Sequence, residues 1–186
     1  MDVAERLAGP SARGYSLHAL SVAHALRGEW SEAIAAIESA LAVARERHVC
    51  REWEVYMLAP LARACRGAGD LQRALAAARE AVALSDARGV SPWAPIAHLE
   101  LARALRAAAG AAAAGDIAHH LDRAMSFVQQ TGARVFAPPI VEERARLAEI
   151  CGDTAAASKE LQRAHALYVE IGATGHAERL ARELGA

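Results

Sequence analysis

A short turn in which glycine is followed by an acidic residue occurs four times in this chain of 186 residues, about every 40 positions. Glycine adopts the left-handed conformation that ends a helix. The side chains that follow it can accept hydrogen bonds from the free amides of the next helix. Each turn therefore predicts both the end of one helix and the start of another. The four turns are Gly28-Glu29, Gly69-Asp70, Gly115-Asp116 and Gly152-Asp153.

Small residues accompany these turns at helical spacing. The helix before each turn carries one near its end, in Leu20-Ser21, Leu61-Ala62, Leu101-Ala102 and Arg144-Ala145. The helix after each turn repeats small and large residues at i, i+4 and i+7, which places them on one face where helix axes can approach closely. These sets are Ala33, Ile37, Ala40; Ala74, Ala78, Ala81; and Ala157, Leu161, Ala164. The third unit departs from the pattern, with His120 at the first small position.

The turns and the proline and glycine positions predict nine helices. Pro92 and Pro138-Pro139 suit the first turn of a helix, where the missing amide costs nothing. Pro60 lies inside the third helix, so we expect either a kink or a helix that begins later than residue 51. The predicted ranges are 14–27, 31–47, 51–67, 71–88, 92–109, 117–131, 138–150, 154–170 and 174–184.

The composition excludes a β-rich fold. About a quarter of the residues are alanine, aromatic residues make up only 4%, and β-branched residues are scarce. No apolar run of about 18 residues is present and the acidic start lacks the pattern of a secretory signal, so we expect a cytoplasmic protein with no membrane association. A net charge of −1 with no basic run argues against nucleic-acid binding.

The three cysteines, Cys50, Cys65 and Cys151, are odd in number and far apart, which argues against a disulfide framework or a zinc knuckle. We interpret them as buried free thiols. His24 and Cys65 occupy equivalent places in the first two units. We expect those places to be packed in the core of each helix pair rather than to form a nucleophile and its base.

The sequence His119-His120-Leu121-Asp122 is the best metal-like cluster. Adjacent residues on a helix point about 100° apart, so one ion cannot bind both histidines. A solvated helix face is the favoured interpretation. We expect no metal, no cofactor and no catalytic site.

Two antiparallel helices per unit, a Gly-acidic turn and small residues at fixed places resemble the tetratricopeptide repeat over residues 14–170. The resemblance implies an all-α, right-handed α-solenoid of about four helix pairs. We expect one domain, 1–186, with units of about 14–50, 51–90, 91–133 and 134–172 and a capping helix in 174–186. In that cap, Ala177, Leu180, Ala181 and Leu184 would face the last unit.

The segments Phe136-Ala137-Pro138-Pro139-Ile140-Val141-Glu142-Glu143 and Ile171-Gly172-Ala173-Thr174-Gly175-His176-Ala177-Glu178-Arg179-Leu180 resemble a more particular group. This is the C-terminal repeat region of bacterial adenylate or guanylate cyclase-ATPase fusion proteins and of large ATP-dependent transcriptional regulators. The resemblance implies a scaffold or sensor arm, with the chemistry in upstream domains. The sequence itself has no glycine-rich phosphate loop.

Superposition of the units aligns two positions of each first helix, three residues apart and therefore on one helix face. The first position is Val22, Arg63, Arg103 and Arg146, and the second is Ala25, Arg66, Arg106 and Glu149. The tetratricopeptide architecture implies that this face lines a concave groove. Arginine forks suit carboxylates and phosphates, and tyrosines at the edge would add contact area. The predicted partner-binding residues are Tyr15, Tyr56, Arg63, Arg66, Arg103, Arg106 and Arg146. The alternative is that these are ordinary solvated arginines paired with Glu52, Glu54, Glu100 and Glu142.

The favoured function is a non-catalytic scaffold that binds a protein or peptide, acidic in character, in its concave groove. The alternative is a ligand-sensing or autoinhibitory regulatory arm of a nucleotide cyclase, an ATPase or a transcriptional regulator. If the arginine stripe binds the partner, replacing Arg63 and Arg103 with alanine should weaken binding and leave stability almost unchanged.

Overall fold

The computed structural model describes residues 9–48, 53–89 and 92–185. Within these ranges the chain forms nine α-helices, two short 3-10 helices and no strand. The α-helices are α1 (Pro10–Leu26), α2 (Trp30–Glu46), α3 (Glu54–Gly67), α4 (Leu71–Arg88), α5 (Ala94–Ala109), α6 (Ala114–Thr131), α7 (Ala137–Ile150), α8 (Thr154–Glu170) and α9 (Thr174–Leu184). The 3-10 helices are Gly110–Ala113 and Arg134–Phe136.

The helices form consecutive pairs, and each helix packs against the next one along the chain. The first helices of the pairs, α1, α3, α5 and α7, also contact one another in order, whereas the second helices make their extensive contacts with first helices. The first helices therefore form the inner layer of a curved stack. The all-α solenoid expected from the repeats is confirmed.

The small and large residues that recur after the turns build the core between the layers. All nine of the predicted positions in α2, α4 and α8 are buried, from Ala33 at the start to Ala164 at the end. On the first helices, Ser21 is buried and its hydroxyl donates a 2.8 Å hydrogen bond to the carbonyl of Ala33 on the next helix. Because Ser21 and Ala33 are small, α1 and α2 approach closely enough for the Ser21 side chain to reach the backbone of α2.

The third unit follows the same pattern in a different register. Ile117, Leu121 and Ala124 are fully buried in α6 at the i, i+4, i+7 spacing, so Ile117 occupies the place assigned to His120. The turn also lies earlier than predicted: Gly110 has the positive φ, while Gly115 is inside α6. The prediction placed the turn at the glycine next to an acidic residue. Because alanine favours helix, the chain is already helical from Ala114.

The other three turns have the predicted backbone geometry, but in the first of them no side chain caps the next helix, because Glu29 binds His24 and Arg27 instead. Gly28, Gly69 and Gly152 have φ between 75° and 80°, a region that other residues rarely adopt. The carboxylates of Asp70 and Asp153 accept hydrogen bonds of 3.0 and 2.9 Å from the third amide beyond them, as N-caps do. These turns join each first helix to its second helix with a fixed geometry.

Helix boundaries differ from the predictions at a few places. The first helix begins at Pro10 rather than residue 14, with proline at its first position. α3 begins at Glu54, and Pro60 lies inside it, so the carbonyl of Tyr56 lacks its helical donor. The predicted start of this helix at 51 lies outside the described residues.

The predicted capping helix is confirmed. α9 packs on the last pair through Ala177 and Leu180, both buried, and Leu184 packs against the same cluster.

The prediction of buried thiols is confirmed for one cysteine and wrong for another. Cys65 is buried as predicted, but Cys151 is exposed because it lies in the turn that follows α7. Cys50 lies outside the described residues.

Candidate functional site: the inner face

We use the term inner face for the surface that α1, α3, α5 and α7 present on the side away from the second helices. The structure places the predicted site residues on these four helices. It does not leave the arginines as a bare basic stripe, because most of them contact carboxylates on neighbouring helices. The geometry of those pairs decides what the inner face can bind.

Glu100 is the first of two buried carboxylates that hold the arginines together. It is only 2% exposed, although it lies on the inner face of α5. Arg103, one turn later, donates to it from Nη1 at 2.7 Å, and Arg66 of α3 reaches it from Nη2 at 3.4 Å. Glu100 therefore ties α3 to α5.

Glu143 repeats this arrangement one unit later. It is 3% exposed on α7. Arg106 of α5 donates to it from Nε, and Arg103 donates from its own Nε at 3.4 Å. Arg103 therefore contacts both buried glutamates. Burying two carboxylates is favourable only with such partners, because each loses its hydration.

A third group of pairs continues the network to the capping helix. Arg146 of α7 binds Glu183 of α9, with Nη2 at 2.7 Å from Oε2, and also Glu149 at 2.9 Å. Arg179 of α9 binds Glu142 at 2.8 Å. The hydroxyl of Tyr168 donates to the same carboxylate at 3.1 Å. Together, the three groups of pairs extend from α3 to α9.

The network shifts the protonation of its members. Burial lowers the pKa of the Arg103 guanidinium, but the charges of Glu100 and Glu143 more than offset this effect, so the pKa is raised overall. The hydrogen bond from Arg146 lowers the pKa of Glu183. Arg103 and Glu183 therefore stay ionised at neutral pH.

Arg63 differs from the other predicted arginines. It is exposed, and no described residue forms an ion pair with it. It lies at the edge of a cavity of about 210 Å³ between α1, α3 and α5. The apolar part of the cavity is formed by Val22, Pro60, Ile96 and Phe136, and its polar part by residues that include Arg63 and Glu100.

Both predicted tyrosines belong to an aromatic cluster beside this cavity. The Tyr56 ring lies 4.3 Å from the Trp93 ring and 4.7 Å from the His18 ring, measured between centroids. The Tyr15 ring lies 4.6 Å from that of Trp53. These contacts hold the rings in place before any partner arrives, so little side-chain entropy remains to be lost on binding.

The structure also pairs His120 with His98, a histidine that the sequence patterns did not single out. Nδ1 of His98 on α5 lies 3.0 Å from Nδ1 of His120 on α6. His98 is buried and His120 half-buried, so the prediction of a solvated face holds for His119 and Asp122 but is wrong for His120. Among the described residues, no three His, Cys, Asp or Glu side chains are arranged to hold a metal ion.

Glu143 is the member of the candidate site that the sequence patterns did not single out. The signal was present, because Glu100 and Glu143 each precede an aligned arginine by three residues. Of the four glutamates offered as alternative partners, Glu100 and Glu142 do bind site arginines, and Glu54 binds Arg45 instead. Glu52 lies outside the described residues.

Solved structures share this arrangement of helices. A protein with nearly identical TPR-like repeats from Podosopora anserina, assigned as a kinesin light chain, is 20% identical and superposes with a TM-score of 0.64 over 95% of this chain and 94% of its own. A substituted variant of that protein is also 20% identical, with a TM-score of 0.63 over 94% and 93%. The fold is a tetratricopeptide-like repeat solenoid. No protein-family model matches the sequence, and no curated protein matches it.

The resemblance of the C-terminal segments to cyclase-ATPase fusion proteins and transcriptional regulators stays a prediction. Of the helices in the described ranges, none combines the length and the apolar character needed to cross a membrane.

Proposed function

We propose that this tetratricopeptide-like solenoid is a non-catalytic, cytoplasmic interaction scaffold that binds an extended peptide or protein segment on its inner face. The observation that carries the proposal is the joint presence of the unpaired Arg63 and the apolar cavity beside it. Repeat solenoids present extended surfaces of this kind. The partner segment would place an apolar side chain in the cavity and a carboxylate or phosphate on Arg63.

The ion-pair network supports this assignment by shaping the surface. Arg66, Arg103 and Arg106 are held by Glu100 and Glu143, so their remaining N–H groups point in fixed directions. Such fixed donors suit backbone carbonyls and single carboxylates of a bound segment. We therefore assign Arg63 the main charge contact, and the paired arginines a supporting role.

The size of the cavity favours a side chain over a free small ligand. Its volume of about 210 Å³ is below the roughly 300–1,000 Å³ typical of small-molecule sites. This argues against a free small ligand in this cavity. The autoinhibitory form of the alternative function, in which the partner is an attached cyclase or ATPase domain, would use the same inner face.

The test is to capture partners from lysate, identify the bound segment, and measure its affinity as a synthetic peptide for three forms of the protein. Arg63→Ala should weaken binding about tenfold to a hundredfold, because a charged hydrogen bond contributes roughly 1.5–3 kcal/mol. Arg79→Ala is the matched control, since Arg79 is exposed on the outer helix α4. Equal affinities for Arg63→Ala and the parent protein would contradict the proposal.

A further inference from the structure

The side of α1 that faces away from the rest of the solenoid is apolar and exposed. We call this surface, together with the adjoining side of α2, the upstream face. Leu20 is 48% exposed and Leu26 is 72% exposed. With them on one side of α1 lie Ala12, Ser16, Ala19 and Ala23, at helical spacing. Ala35, Ser39 and Ala42 continue the surface on α2.

The two serines do not make this face polar. The Ser16 hydroxyl donates to the carbonyl of Ala12 at 2.9 Å, and the Ser39 hydroxyl donates to that of Ala35 at 2.8 Å. Each hydroxyl is therefore satisfied within its own helix. The surface offers methyl and methylene groups to whatever covers it.

The equivalent face of the next unit is an interface. Superposition of the units aligns Ser16, Ala23 and Leu26 with Met57, Ala64 and Gly67 of α3. Met57 and Ala64 are completely buried, and Gly67 lies against the Trp30 ring of the first unit. The upstream face thus has the composition and spacing of a surface that packs on another helix pair.

At the C-terminal end of the solenoid, a capping helix covers the last helix pair. There, α9 buries Ala177 and Leu180 against the last pair and turns charged residues such as Glu178 outward. End units with a polar outer face keep solenoids from associating. In the described part of the chain, nothing of this kind covers α1.

The charges at the border of the upstream face indicate what covers it. The end of the face where α1 begins and α2 ends carries Arg13 beside Glu46 and Arg47, and therefore one net positive charge. Glu32 lies at the opposite end, near the Arg27–Glu29 ion pair. Arg13 and Glu32 are exposed, and neither has an ion-pair partner among the described residues. A two-fold axis that lies in the plane of the face and runs across the two helices brings the Arg13 end of one copy onto the Glu32 end of the other. An isologous contact of this kind is the commonest form of protein dimer.

We propose that the upstream face binds a second copy of this chain in a two-fold symmetric, head-to-head dimer. α1 has 17 residues and is about 25 Å long, and the face is about two helix diameters wide, which gives about 1,000 Å² of total buried area. This is at the low end of specific interfaces, and we expect a dimer that forms in the micromolar range. The inner face stays open in such a dimer.

The experiment is analytical ultracentrifugation of the purified chain between about 1 and 500 µM. The mean mass should rise from that of the 19.6 kDa monomer towards twice this value. A double variant, Leu20→Glu with Leu26→Glu, should stay monomeric throughout, with an unchanged circular dichroism spectrum because both side chains are exposed. Val169→Glu, on the exposed side of α8, is the matched control and should dimerise like the parent chain.

A charge exchange tests the two-fold arrangement itself. Arg13→Glu alone and Glu32→Arg alone should each weaken dimerisation, and the combination should restore it. A parent chain that is monomeric at all concentrations would overturn the proposal, whether residues 1–8 or an unrelated partner covers the face. A dimer that persists in the Leu20/Leu26 variant would place the contact on another surface and overturn it equally.

Discussion

The indole ring of Trp30, at the start of α2, lies against Gly67, at the end of α3, so closely that a Cβ at position 67 would be 2.6 Å from two ring carbons. Real Cβ atoms do not approach carbon so closely, so either the ring or the helix would have to move. This contact joins the first unit to the second. It also explains why glycine is required there although the backbone is helical.

We therefore predict that Gly67→Ala lowers the free energy of unfolding by about 1–3 kcal/mol, the usual cost of overpacking. Gly115→Ala is the matched control, because Gly115 is also helical but its added Cβ meets nothing within 4 Å. That variant should be stabilised by about 0.5–1 kcal/mol. Urea titration measures both effects, and equal stabilities for the two variants would contradict the role of Trp30.

Replacing Glu143 tests the ion-pair network. Glu143→Gln removes the buried charge that neutralises Arg103 and Arg106, so we expect a loss of about 1–3 kcal/mol of stability. For a chain of this size the melting temperature should fall by about 2–10 °C. Glu178→Gln, at an exposed position on α9, should change it by less than about 2 °C. A Glu143→Gln protein that melts like Glu178→Gln would show that the network contributes no stability.

The same network changes the expectation for the arginines. Arg103→Ala should destabilise the protein, because it leaves Glu100 and Glu143 each without one of their cations. Arg63→Ala should not, because Arg63 is exposed. Thermal melting of the two variants tests this difference. Equal melting temperatures would show that Arg103, like Arg63, contributes little to stability.

Stability should fall as the pH is lowered from about 6.5. Burial lowers the pKa of His98 to about 4, and repulsion from His120 adds to the effect. Asp86 opposes it, while Arg123 and His119 act in the same direction as His120. Burial also lowers the pKa of His18 and His120. In the unfolded chain these groups titrate near 6.5, so between about 6.5 and 4 the unfolded state binds more protons than the folded one.

The His98 contribution is therefore complete above about pH 6.5 and lost as the pH falls towards 4, by about 2–3 kcal/mol in all. The free energy of unfolding should be measured by urea titration at pH 7.5 and pH 5. His98→Gln should show a smaller difference between the two values than the parent protein, and His165→Gln, on α8, should not. A parent protein equally stable at both values would contradict this account.

The capping helix should be required for stability. Leu180 of α9 is completely buried, so Leu180→Ala should cost about 2–5 kcal/mol, as other buried leucines do. Val169→Ala, at a position 57% exposed, should cost less than about 0.5 kcal/mol. Removing residues 174–186 should lower the melting temperature or cause association, because it uncovers Ala164 and Tyr168. A truncated protein as stable and monodisperse as the parent would contradict the capping role.

Local sequence patterns predicted most of the candidate site but not how its charges combine. The alignment of Arg63, Arg66, Arg103 and Arg106 on the first helices followed from helical spacing alone. Which of them would be paired depended on the approach of α3, α5 and α7, since each pair joins residues 34 to 40 positions apart. The unpaired state of Arg63 is a property of that packing.

The sequence by itself determined the repeat, because glycine turns, N-caps and the i, i+4, i+7 pattern act within one helix or one turn and need no distant partner. The sequence did not determine the position of the turn in the third unit, because both Gly110 and Gly115 fitted a turn. The turn lies at Gly110, and in this register Ile117 is buried in the core. Tertiary structure alone decided that Glu100 and Glu143 are buried, that His98 meets His120, and that Leu26 is left uncovered. Each of these depends on the position of one helix pair relative to the next. That position is set by the packing of all the helices and not by any local pattern.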